Sequence, residues 1–283
     1  MAAVVTAALL VALGCAAAEE PRPIKDVDNS FSASYLKSHL HYQEPGNVNG
    51  ANDFDDEYGY TQGGRVALSW MGHLDVDNVY VFTDWQGTEG AVNYTGYFQG
   101  GGPVSGGKSR ATINELNFRV GKGFELGPHW MLTPFFGSGN RHWVRELGLG
   151  TTGDFNEAYN FWYWAFGGMV QYSPSDRVVM TLDASFGKTA HPTITVSENV
   201  APGFCAACLF GAGLGEKPIQ RYGLDFDCRV WKGLHTFAGG NLEYYKFGAS
   251  APSISGAFEP FSRTSVFEWT TGARLSFSGW NSD

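Results

Sequence analysis

With 283 residues, 43% of them hydrophobic, 15% aromatic and 38 glycine, the chain has room for one large domain or two small ones. Its 17% charged residues and slightly negative mean hydropathy exclude a helical membrane protein. They do not exclude a membrane barrel, whose strands alternate lipid-facing and lumen-facing side chains; the net charge of −9 argues against a nucleic-acid partner, which binds through Lys and Arg on phosphates.

The longest apolar run comes first. Ala2 to Ala18 holds Leu9, Leu10, Val11 and Leu13 and ends in Ala16-Ala17-Ala18 before Glu19, an A-x-A pattern that marks residues 1–18 as a secretory signal, here without a basic start. Leu13-Gly14-Cys15 offers a second reading, lipidation at Cys15, and a membrane-anchoring helix is a third. Residues 19–28, with Pro21 and Pro23, read as a short polar periplasmic lead, and no capped amphipathic helix is evident along the chain.

Ten strands follow, each with a period of two. The first, Asn29 to Tyr42, sets Phe31, Ala33 and Tyr35 on one parity but Leu36, Leu40 and Tyr42 on the other, which predicts a bulge near Leu36. An acidic loop, Glu44 to Tyr58, leads to the second strand, where Val66, Leu68 and Trp70 alternate with Arg65, Ala67 and Ser69. The third sets Val79, Val81 and Trp85 against Tyr80, Phe82 and Asp84, and a glycine-rich loop, Gly87 to Arg110, precedes the fourth, with Leu116, Phe118 and Val120 against Glu115, Asn117 and Arg119. The fifth, Trp130 to Trp143, and the sixth, Ala158 to Tyr172, flank a loop at Glu146 to Asn156. The seventh opposes Val178, Met180, Leu182, Ala184 and Phe186 to Thr181, Asp183 and Ser185; after the segment Gly187 to Pro218, the eighth opposes Tyr222, Leu224, Phe226, Cys228 and Val230 to Arg221, Asp225, Asp227 and Arg229. Leu242 and Tyr244 against Asn241 and Glu243 mark the ninth. The tenth, Phe267 to Phe277, is apolar at Phe267, Trp269, Ala273, Leu275 and Phe277 and polar at Glu268, Thr270 and Arg274.

Long loops alternate with tight turns, which places both termini at one end. The tenth strand's apolar face starts and stops in aromatics about ten residues apart, the reach of a tilted strand across a bilayer between two aromatic belts. The reading is all-β: a transmembrane antiparallel up-and-down β-barrel of about ten strands over residues 29–277, with eight or twelve also compatible, and a C-terminal extension over residues 278–283.

The inward parity collects Arg65, Glu115, Arg119, Asp183, Arg221, Asp225, Asp227, Arg229, Glu243, Glu268 and Arg274. In a narrow barrel such residues pack the lumen as ion pairs, which makes a largely plugged structural or surface-interaction protein the leading expectation. A narrow, porin-like channel lined by the same charges is the alternative. A hydrolase of lipid A or peptides at the rim is the third, resting on His142 and His191, for which surface or packing roles are preferred. His39 and His41 share a face without a third metal ligand, and Asp53, Asp55, Asp56 and Glu57 lack the spacing of a calcium loop, so no catalytic residue, metal or cofactor is assigned. Cys205 and Cys208, as C-A-A-C in an exported chain, favour a local disulfide, and Cys228 reads as a small lipid-facing side chain.

Two stretches resemble a known class. Gly272, Leu275 and Phe277 match the glycine, hydrophobe and final aromatic of the C-terminal assembly signal of bacterial outer-membrane β-barrels, although six residues follow. Thr133, Pro134, Gly137, Gly139, Arg141 and Trp143, followed by the aromatic run Tyr159 to Phe166, resemble a strand pair of small outer-membrane barrels of the outer membrane protein beta-barrel family. The resemblance implies a Gram-negative outer membrane reached by Sec export, a monomer in contact with outer-membrane lipid and lipopolysaccharide, and the barrel-assembly machinery as a partner. It implies no activity.

Overall fold

A computed structural model describes residues 23–48, 51–97, 107–148, 155–198, 210–253, 256 and 258–277. A short helix, α1 (Pro23–Asp28), precedes β1 (Ser30–Val48), β2 (Ala51–Gly72), β3 (Val79–Gly96), β4 (Lys108–Lys122), β5 (Phe124–Glu125), β6 (Trp130–Leu147), β7 (Phe155–Ser175), β8 (Val178–Glu198), β9 (Phe210–Gly213), β10 (Pro218–Trp231), β11 (Leu234–Phe247) and β12 (Ser262–Ser276). Ten of these strands form one antiparallel ring in chain order, closed where β12 pairs with β1; β5 and β9 are short additions to β6 and β8. Closure leaves no exposed edge in the ring and satisfies the backbone within it.

The alternation that shapes each strand also assigns its faces. Around the tight-turn end, Trp70, Val120, Trp130, Leu182, Leu224 and Phe277 point outward and are exposed or half-buried, while Arg65, Glu115, Asp183 and Asp227 point inward. The outward apolar band is shorter than the strands. On β4 it ends at Leu116, beyond which Asn114, Thr112, Arg110 and Lys108 face out. Strands of 14 to 22 residues exceed the 9–11 or so that a bilayer needs, so the barrel continues past the lipid on the long-loop side.

That extension explains several departures from expectation. β1 has no bulge at Leu36: its register against β2 and β12 is unbroken there, with Leu36, Leu40 and Tyr42 inward and Lys37, His39 and His41 outward. Beyond the lipid, water bathes the outer face, so the apolar side turns inward. The stretches read as loops at Glu44 to Tyr58 and Gly87 to Arg110 are largely strand for the same reason: outward polar residues such as Asp56, Glu89 and Arg110 face water from a ladder, while Glu44, Asp55 and Glu57 of the same stretches turn inward. A true bulge lies in β8 against Asn160 and Trp162, where His191 has φ 49° and the inward parity switches from Thr189 to Ile194 and Val196.

The lead holds a helix that the sequence did not make evident. Residues 23–28 are helical, and Ile24 and Val27 are buried in the base of the barrel against Met71, Tyr80, Met131, Phe135, Met169 and Val179. Six residues are too few for an amphipathic period to show in the sequence. Asn29 Nδ2 donates to the carbonyls of Lys25 (2.9 Å) and Met71 (2.8 Å), tying α1 to the start of β1 and the end of β2.

Candidate functional site

The lumen is the feature with chemistry, and it is built in tiers. At the base, Gln171 Nε2 donates to Asp28 Oδ1 (2.9 Å), and Asp227 pairs with His235 (2.6 Å) and Arg274 (3.1 Å). Arg229, on the same parity, reaches Asp26 of α1 at 3.6 Å. Burial pushes the Asp28 carboxyl up to about 7, against the opposing pull of the Gln171 hydrogen bond and Arg274.

Above this base lies a cavity of about 140 Å³, room for a few water molecules, into which Asp28, Arg65, Arg119, Asp183, Asp225 and Arg274 project. Arg119 Nη1 donates to Asp183 (2.7 Å) and its guanidinium lies 4.8 Å from the Phe135 ring. Arg65 is paired with Asp84, and Ser38 Oγ donates to Glu268 (3.2 Å).

At the upper edge of the lipid-facing band, two arginines and two glutamates close the lumen. Arg141 binds Glu115 (Nε to Oε2, 2.6 Å) and Glu243 (2.7 Å); Arg221 binds Glu115 (2.5 Å) and Glu243 (2.9 Å), and its guanidinium lies 4.3 Å from the Tyr163 ring. Two cations facing two anions make this square electrically balanced, and its members are buried or nearly so.

Four residues further along β6, about 13 Å along the strand, comes an unbalanced tier. Arg145 is fully buried, and it binds Glu57 (2.6 Å), Glu157 (2.6 Å) and Asp55 (3.1 Å), with Glu44 at 3.7 Å. Its guanidinium sits 4.2 Å from the Tyr42 ring. Trp143 and Tyr159 stack at 5.2 Å, Tyr159 and Phe247 at 5.7 Å, within an apolar core that also holds Tyr94, Phe161 and Tyr245. Glu259, from the segment between β11 and β12, enters the same tier through Tyr42 and Tyr159.

All eleven charged residues singled out from the inward parity lie on the lumen side, and the ion pairs join nine of them: Asp225 faces the cavity, and Glu268 is held by Ser38. Sequence reasoning missed Asp84, Arg141, Arg145, Glu57, Glu157 and Glu259. Arg141, Trp143 and Arg145 share one parity, which was the available signal. His142 is exposed on the outer face of β6, opposite to Arg141, and His191 is exposed at the β8 bulge, where its backbone N–H donates to Glu216 (3.3 Å). The acidic run divides by parity: Asp55 and Glu57 turn inward to Arg145, and Asp56 turns outward to His41 (2.8 Å). Cys205 and Cys208 lie outside the described residues. Cys228 occupies the outward parity of β10 but is buried and disulfide-bonded, which corrects the expectation of a free lipid-facing thiol. Leu275 and Phe277 are exposed on the outer face, and Gly272 packs its backbone against β1, where an added Cβ would lie 2.3 Å from the Ala33 carbonyl oxygen.

No protein-family model matches the sequence, and no curated protein does. Among solved structures, the chain is similar to the outer membrane protease OmpT of Escherichia coli, with a TM-score of 0.52 and 10% identity over 89% of this chain and 97% of that one. It is also similar to Ail, the attachment invasion locus protein of Yersinia pestis, crystallised with a heparin analogue (TM-score 0.36, 11% identity, 88% and 99% covered). The translocator domain of the autotransporter NalP from Neisseria meningitidis gives a TM-score of 0.41 at 10% identity, with 96% and 94% covered. At these identities a likeness speaks for fold alone, and the two lower TM-scores add no argument. The closed ten-stranded ring, its outward apolar band and the OmpT likeness agree: this chain has the fold of the bacterial outer-membrane β-barrels.

Proposed function

We propose that this protein is a monomeric outer-membrane barrel with an occluded lumen, whose role is structural or one of interaction at the cell surface. The observation that carries the reading is the sequence of closures along one axis: α1 in the base, the Arg141–Glu115–Arg221–Glu243 square at the upper lipid edge, and the aromatic core around Arg145 above it. An ion crossing from end to end would have to displace all three. Lumen charges held in mutual pairs act as packing, because breaking a buried pair leaves a bare charge in a poorly solvated place.

The rest of the reading follows from the fold class. Residues 1–18 serve as the export signal, Gly272, Leu275 and Phe277 as the assembly signal, and the outward aromatics meet lipid, with lipopolysaccharide on the long-loop side. The protease named among the solved structures lends no activity here: His142 and His191 are both exposed, at nearly the same height on β6 and β8 with β7 between them, and neither belongs to the buried lumen network.

Recordings on planar bilayers test the occlusion. Protein refolded into a bilayer should show no stable single-channel steps. Steps whose ion preference shifts with Asp225→Asn would favour the narrow-channel reading instead.

A further inference from the structure

The tier around Arg145 carries more acid than one cation balances. Glu44 of β1, Asp55 and Glu57 of β2, Glu157 of β7 and Glu259 of the segment entering β12 are all buried. Among the described residues four of them bind or border Arg145, and the Glu259 carboxyl meets the Tyr42 and Tyr159 phenols. The other elements around this tier contribute the Tyr94 phenol of β3, which donates to Asp55 (3.0 Å), the Ser109 hydroxyl of β4, which donates to Glu57, the Phe247 ring of β11 and the Ser262 and Thr264 hydroxyls of β12. Among the described residues, then, five carboxyls share one guanidinium in a region withdrawn from water. Like charges crowded in this way raise one another's proton affinity.

Counting hydrogens gives the same answer independently. Tyr42 Oη lies 2.6 Å from Glu44, 3.1 Å from Glu259 and 3.0 Å from Tyr159 Oη; Tyr159 Oη lies 2.5 Å from Glu259 and 3.3 Å from Glu157. Each of these five oxygen–oxygen contacts needs one proton to be a hydrogen bond. A phenol has a single proton to donate, so Tyr42 and Tyr159 supply two. For all five to be separate hydrogen bonds, the remaining three protons must come from Glu44, Glu157 and Glu259, the three carboxyls that touch the phenols.

These three carboxyls differ in what holds them. Glu44 and Glu157 belong to long ladders, whereas Glu259 precedes β12 and is held by its side chain and by two local bonds: Ser250 N–H donates to the Glu259 carbonyl (2.9 Å), and Glu259 N–H donates to Ser250 Oγ (2.8 Å). Phe258, Pro260 and Phe261 flank it. We propose that this is an acid-closed latch: protonated Glu259 ties residues 258–261 over the mouth of the barrel through Tyr42 and Tyr159, and deprotonation releases them, uncovering the chamber of Tyr42, Trp143 and Tyr159. Consistent with it, burial pushes the Glu259 carboxyl up to about 7, with its hydrogen bond from Tyr159 and the charge of Arg145 pulling the other way.

The direction follows by linkage. A carboxyl whose proton affinity is higher when the latch is closed favours closure in acid, and that advantage is lost as pH rises from its ordinary value of 4.5 to about 7. The latch stands on the geometry of the mouth and does not depend on whether the lumen below conducts.

Backbone amide exchange of the full chain refolded in lipid nanodiscs tests it. After correction for intrinsic exchange, the protection of the Ser250 and Glu259 amides should fall about tenfold per pH unit over that interval and level off above it. Glu259→Gln keeps the shape and the hydrogen-bonding group but cannot ionise, so its protection should stay flat. Protection in the unmodified protein that is unchanged between acid and alkaline pH, or a fall of equal slope in Glu259→Gln, overturns the latch. Should the variant fail to fold, infrared spectra of the unmodified protein decide alongside the exchange data: a protonated-carboxyl band that fades over the same interval supports the latch, and the absence of such a band in acid overturns it.

Discussion

Leu182 and Asp183 are neighbours on β8 that the barrel sends to opposite faces, and the pair measures the face assignment directly. Leu182 is 58% exposed, the middle of the outward series Val178, Met180, Leu182, Ala184 and Phe186, and stands beside Leu224 and Val170 on the adjoining strands. If that face meets the bilayer midplane, Leu182→Arg should destabilise by about 2–4 kcal/mol, and the same change at Phe186, near the lipid boundary, by about 0–1 kcal/mol. Asp183 accepts from Arg119 at 2.7 Å inside the lumen, so Asp183→Asn forfeits a charge-assisted bond worth about 1.5–3 kcal/mol whatever surrounds the barrel. Urea unfolding of all three variants in phospholipid vesicles supplies the free energies. Equal costs at 182 and 186, or a cost under about 0.5 kcal/mol at 182, would refute the assignment, because a water-facing leucine tolerates arginine at any height.

Other perturbations address other tiers. Arg145→Met removes the one cation from five carboxyls and should cost about 3–5 kcal/mol in the same unfolding assay, more than Arg119→Met, which bares a single aspartate. Docking of α1 should weaken as pH rises from the ordinary 3.8 of an aspartate towards about 7, since the buried Asp28 carboxyl binds its proton more tightly than a free one. Exchange of the Met71 amide, which donates to Asn29 Oδ1 (2.9 Å), reads this locally, and Asp28→Asn should flatten the response. Gly63 sits where β2 and β3 approach so closely that an added Cβ would lie 1.8 Å from the Gly87 carbonyl oxygen; Gly63→Ala should cost about 1–3 kcal/mol through strand displacement, seen as a lower urea midpoint.

What the sequence made legible, and what it hid, divides at the lipid edge. Below that edge the outer face must be apolar and the inner face polar, so runs such as Tyr222 to Val230 declare both faces by alternation alone, and the inward charges from Arg65 to Arg274 follow. Above it the rule reverses. Tyr42, Trp143 and Tyr159 turn inward while Lys37, His39 and His142 face water, and a reader expecting one rule for the whole strand sees a bulge at Leu36 and a loop at Glu44 to Tyr58. The Arg145 tier was hidden for a second reason. Its partners come from β1, β2, β6, β7 and the segment before β12, and Glu57, Glu157 and Glu259 meet only because the ring closes. Alternation assigns a face to a residue; register between distant strands, which decides its partners, leaves no trace in one sequence.

The claim on which the account rests is that this chain forms a closed barrel in the outer membrane. Gel migration of the outer-membrane fraction, with and without boiling, tests it most directly, because a closed sheet in mild detergent resists unfolding until heated. The account expects the protein in that fraction, migrating differently in the unboiled and boiled lanes. Identical migration in both lanes, with the protein recovered in the soluble periplasm, would contradict it.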